Sequence, residues 1–147
     1  AIAAKVEGDT VRIKSVGYRE DTVDIKDPTP DSVRKGSSSA IISGIADYFN
    51  KHGYVSGGFY AYTTSDVMTG SGLSSSAAFE VMIGNILNHL YNDGKVDNQE
   101  IAKYAQYSEN VYFGKPIDRE PFGKRADRDT MEAMTKAIED AVWSLKK

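Results

Sequence analysis

Gly70-Ser71-Gly72-Leu73-Ser74-Ser75-Ser76-Ala77-Ala78 is the stretch on which the reading of this chain turns. Before it, Phe59-Tyr-Ala-Tyr-Thr-Thr64 has the aromatic and β-branched content of a strand. After it, Val81, Ile83, Gly84, Ile86, Leu87 and Leu90 recur as they do along a long, deeply buried helix, which ends near Tyr91-Asn92-Asp93-Gly94. Two glycines and a run of three serines between a strand and a helix start form a backbone that a ligand can approach closely, beside unpaired N–H groups and the positive end of a helix dipole. That is anion chemistry, most often phosphate. No Lys follows the glycines, so the segment is neither a P-loop nor a dinucleotide fingerprint. Composition and spacing leave two readings open at this point, a phosphate cradle and a glycine-rich loop that merely caps a helix.

Upstream, Val11 and Ile13 alternate with Arg12 and Lys14, and Val23 and Ile25 repeat the period after Gly17-Tyr18-Arg19-Glu20-Asp21, which predicts short half-buried strands. Glu7-Gly8-Asp9 carries turn chemistry and predicts a hairpin between residues 1–6 and 10–16. From Ser37 the period becomes helical, with Ile41, Ile42, Ile45, Ala46 and Phe49 on one face until Gly53. Downstream, Asp97 with Glu100 is a capping pair opening a helix that runs to about Phe113 and is closed by Gly114 and Pro116. Tyr104, Tyr107 and Tyr112 read as packing residues of that helix whose hydroxyls reach water. Residues 117–127 read as a charged connection, and Met131, Met134, Ile138, Val142 and Leu145 as an amphipathic closing helix. The expected architecture is α+β, a small and mainly antiparallel sheet with helices packed on it, divided as 1–116 and a tail at 117–147.

Over 147 residues, 18 Lys plus Arg face 21 Asp plus Glu, a net charge of −3. No basic block offers a nucleic acid or an anionic membrane its electrostatic footprint, so neither is expected as a partner. There is no Cys, hence no disulfide framework or cysteine nucleophile. No apolar run reaches membrane-spanning length, and the expected location is the cytoplasm. His52 and His89 stand apart without carboxylates at ligand spacing and read as solvated.

The segment Gly70 to Ala78 resembles the second motif of the GHMP small-molecule kinases, and residues 57–116 resemble the galactokinases in particular. Gly58-Phe59-Tyr60-Ala61-Tyr62, Ala78-Phe79-Glu80 and Glu109-Asn-Val-Tyr-Phe-Gly-Lys-Pro116 fit that family. The resemblance implies a fold like the second domain of ribosomal protein S5. It implies ATP and Mg²⁺ as cofactors and phosphoryl transfer to the C1 hydroxyl of galactose. Gly70, Ser71, Gly72, Leu73, Ser74, Ser75 and Ser76 become the expected phosphate cradle. Ser75 or Ser76 offers the hydroxyl near the metal, Ser76 being paired here with Glu109 as the metal-approaching residues.

Departures accompany the match. No Gly-Glu-His-Thr-Asp sugar motif occurs, and Pro121 falls where the family's catalytic Asp would stand, so no catalytic residue is assigned. From Phe113 the tail weakly resembles the C-terminal end of PlsC-type acyltransferases. The expectation is therefore an ATP-phosphate-binding portion that is inactive as this chain alone and meets galactose only with a complementing chain. The competing expectation is a non-catalytic module that buries its open face by forming a homodimer.

Overall fold

In the computed structural model, residues 1–66 and 75–114 are described, and residues Ala1–Gly114 make up one compact unit. The connection and helix expected beyond Pro116 lie outside the described residues. Four strands, β1 (Ile2–Lys5), β2 (Thr10–Ser15), β3 (Asp21–Asp24) and β4 (Phe59–Thr63), form one sheet in the order β1-β4-β2-β3. Two of its three pairings are antiparallel and the central β2–β4 pairing is parallel, so the sheet is mixed and mainly antiparallel. Alternation sends Val11, Ile13, Val23, Phe59 and Ala61 to the inner face, where they are buried.

The hairpin expected between residues 1–6 and 10–16 does not form. The turn at Glu7–Asp9 reverses the chain, but β4 lies between β1 and β2 and pairs with both. The turn closes around Gly58, whose N–H donates to the Gly8 carbonyl while its own carbonyl accepts from Val6 N. A Cβ on Gly58 would fall 2.8 Å from the carbonyl oxygens of Gly8 and Thr10, so only glycine lets β4 enter there. The hairpin that does form joins β2 to β3.

Helix α1 (Ser38–Lys51) is capped by Ser37, whose side chain accepts from Ala40 N, and it lays Ile41, Ile42, Ile45, Ala46 and Phe49 on the sheet. Helix α2 (Ser75–Tyr91) buries Ile83, Ile86 and Leu87 and ends on two asparagines that fasten loops. Asn88 exchanges hydrogen bonds with both backbone groups of Val96, and Asn92 does the same with Val55. Helix α3 (Asn98–Tyr107) follows, with Asp97 accepting from Gln99 N and Glu100 N as expected of a cap. Glu100 turns its side chain to Lys103 instead. Asp97→Ala should cost about 1 kcal/mol, measurable as a lower urea midpoint with unchanged m-value.

Helix α3 runs directly into a π-helical turn, Ser108–Phe113, closed by Gly114 N donating to Glu109 O at 2.9 Å. The tyrosines of this segment depart from expectation, because Tyr104 and Tyr112 are fully buried. Tyr112 donates to the Pro28 carbonyl and Tyr107 to Asp47, so neither hydroxyl relies on water. Periodicity places the rings inward, but the partners of the Tyr107 and Tyr112 oxygens come from distant segments, and the buried Tyr104 hydroxyl has no partner among the described residues.

Candidate functional site

Of the expected phosphate cradle, Gly70, Ser71, Gly72, Leu73 and Ser74 lie outside the described residues. What is described is the frame on either side. β4 ends at Thr63 and leads through an exposed Asp66 toward the segment, and α2 begins at Ser75 directly after it. The strand and buried helix anticipated around the glycines are thus both present. The first-turn N–H groups of a 17-residue helix have no intrahelical acceptors and carry the positive end of its dipole.

Ser76 sits in that first turn and is half-buried. One turn further along the same face stands Glu80, only 2% exposed. Among the described residues its Oε1 has no hydrogen-bond partner. Burial, and after it the charge of Glu109, pushes the Glu80 carboxyl up to about 7. Glu80 is not among the site residues that the sequence reading names, although its position in the pattern is a signal. It occupies the apolar stripe of α2 with Ile83 and Leu87, at i, i+3 and i+7, where a carboxylate is out of place.

Glu109 is exposed and lies in the π-helical turn, where each bond reaches five residues back rather than four. The turn is held by its neighbours. Ser108 is fully buried and donates to the Ile41 carbonyl at 2.8 Å, Tyr112 reaches Pro28, and Gly36 N donates to Phe113 O. A second tie is made by Asp47 of α1, which accepts from Lys51 at 2.7 Å and from Tyr107 at 2.9 Å. These contacts anchor the residue before Glu109 to α1.

The oxygen set fits a hard cation. Mg²⁺ takes one or two carboxylates plus a hydroxyl, water and the phosphates of a nucleotide, and dispenses with an all-protein cage. Among the described residues no group of three or more His, Cys, Asp and Glu gathers as such a cage. An orphaned buried carboxylate oxygen near a second acid is the feature that a cation would satisfy. His52 and His89 are both exposed, and His52 stacks on Tyr48. Among the described residues no helix is long and apolar enough to cross a membrane.

Residues 39–118, more than half of the chain, match the family described as GHMP kinases N terminal domain. A galactokinase of Pyrococcus furiosus is 37% identical over 109 residues, covering 74% of this chain and 30% of that protein. A galactokinase of Exiguobacterium sibiricum is 33% identical over 118 residues, 78% of this chain and 30% of the relative. One from Clostridium tetani reaches 42% over 62 residues, 42% of this chain and 16% of its own length. The chain thus spans less than a third of these curated relatives. Among solved structures, Lactococcus lactis galactokinase complexed with galactose superposes with a TM-score of 0.67 at 25% identity, over 78% of this chain and 30% of that one.

Proposed function

The chain belongs to the GHMP kinase family, matching it through the N-terminal domain, and on that premise we propose that its glycine-serine segment and the start of α2 bind the phosphates of ATP. The observation that carries this reading is the frame itself. A segment with two glycines and three consecutive serines enters directly on the N-terminus of a long, well-anchored helix. Gly70, Ser71, Gly72, Leu73, Ser74, Ser75 and Ser76 form the cradle, and Ser76 and Glu109 are the groups that would hold Mg²⁺. When bound, that ion neutralises charge on the phosphates, while the protein's own part is to position them. The transferred group would go to the C1 hydroxyl of galactose, as the galactokinase relatives support.

For these 147 residues by themselves we further propose nucleotide binding without turnover. The segment carries no sugar motif string, and Pro121, outside the described residues, stands at the position of the family's catalytic Asp. Calorimetric titration with Mg·ATP, then with galactose in the presence and absence of nucleotide, tests this. ATP binding with no galactose effect and no ADP release is the expected result. Absence of binding at millimolar ATP overturns it.

Gly72→Val supplies a sharper probe. A branched side chain should hold phosphate away from the backbone and weaken ATP binding about tenfold or more, with the melting temperature little changed. Equal affinity in the variant would remove Gly72 from the cradle.

One observation favours a second reading, the non-catalytic module that self-associates. On the outer sheet face Ile2 lies opposite Tyr62 and Ala4 opposite Tyr60, with Ile2, Tyr60 and Tyr62 exposed by 79%, 44% and 55%. Such a patch is the kind that a second copy covers. Mass in solution separates the readings, since a dimer that Tyr62→Lys dissociates favours the module and a monomer removes its basis.

A further inference from the structure

Glu80 is the described residue that the apolar packing of α2 least explains. It lies on the helix's buried stripe, and leaving a carboxylate there without partners is costly. Among the described residues, neither Glu80 nor Glu109 enters an ion pair.

Helix packing shows at which level of the helix pair Glu80 lies. A Cβ on Gly84 would lie 2.7 Å from Ile101 Cγ2, so α2 and α3 touch at that level. The two helices are joined by only a short connection and run back against each other. One turn from Gly84 toward the start of α2 is Glu80, and the next is Ser76. One turn from Ile101 the opposite way is Ala105, and the next is Ser108 with Glu109. Ser76, Glu80 and Glu109 therefore lie toward the same end of the helix pair, the end at which α2 begins. Burial raises the Glu80 carboxyl most, and the Glu109 charge adds to that upward shift.

We propose that Glu80 supplies a second carboxylate to the divalent-cation site of Ser76 and Glu109, its orphaned Oε1 being the oxygen that faces the ion. This rests on the nucleotide-phosphate reading above and adds a residue to that site. An acid held out of water by its own helix stripe raises the charge density of the site without adding a flexible surface group. It also ties cation affinity to the packing of α2 on α3.

The test is ADP titration of the full chain by calorimetry, with and without Mn²⁺, for the wild type and Glu80→Gln. The expected wild-type result is tighter ADP binding with Mn²⁺. In Glu80→Gln, metal-free ADP affinity should match the wild type, whereas the Mn²⁺-dependent gain should shrink about 10–100-fold. A purely structural role would move both affinities or neither. A gain preserved within twofold in Glu80→Gln overturns the proposal while the nucleotide reading stands. No ADP binding by the wild type in either condition overturns both. If the Gln amide, with its unmet donors, prevents folding, Glu80→Leu removes the polar group at similar size and is held to the same outcomes.

Discussion

Gly44→Val is expected to lower the stability of the domain by about 3 kcal/mol and its melting temperature by roughly 10 °C or more. Gly44 lies in the middle of α1, where intrinsic propensity alone gives valine no such penalty. The collision decides the sign. A Cβ at residue 44 would stand 2.6 Å from Ser108 Oγ and 2.9 Å from both Cα and Cβ of Ser108. Because one of those atoms is backbone, no rotamer change relieves the contact, and the π-helical turn must move off α1. That displacement breaks the bond from Ser108 to the Ile41 carbonyl and shifts the neighbouring Glu109.

The functional corollary is a loss of Mn²⁺-dependent ADP affinity in the variant at temperatures where it remains folded. A Gly44→Ala and Ser108→Gly cycle should show coupling, since removing the serine side chain clears two of the three contacts. Rescue should be incomplete, because Ser108 Cα remains. An unchanged urea midpoint in Gly44→Val would mean that α1 and the π-helical turn do not pack this closely.

In metal-free buffer containing a chelator, the wild type should lose about 3 kcal/mol of stability as pH rises from about 4.5 through 7. The source is Glu80, whose carboxyl stands at about 7 in the folded chain against an ordinary 4.5. Between those values the folded state holds a proton that the unfolded state has released. Stability therefore falls with rising pH, and the loss is complete above the folded value. The raised tyrosines stand higher still and titrate outside this window. Urea denaturation at pH 5 and pH 8 measures the effect, and Glu80→Gln should flatten it. An equal pH difference in both proteins would assign the dependence to other groups.

Much of the fold was legible because it rests on local chemistry. Ser37 and Gly53 bracket α1, Asp97 caps α3, and the aromatic run at residues 59–63 is β4. Each signal acts over a few residues, through a capping oxygen or a side-chain period. Pairing was not legible to the same degree. The turn at Glu7–Asp9 has the composition of a hairpin, but strand neighbours are chosen by which inner faces share a core, and β4, distant in the chain, separates β1 from β2. Only Gly58, small enough to pass the carbonyls of Gly8 and Thr10, marks that insertion in the chain.

The candidate site divides along the same line. By itself the sequence determined the glycine-serine segment and the helix that follows it, because residue type and spacing carry that chemistry, whereas Ser76 and Glu109 enter as proposed oxygen donors through the family resemblance. Tertiary structure alone decided that Glu80 is buried without a partner near Glu109, that Ser108 locks against Gly44, and that the helix carrying Glu109 widens into a π turn. Burial, charge and helix register depend on which distant segments meet, and a local pattern contains no distances between helices.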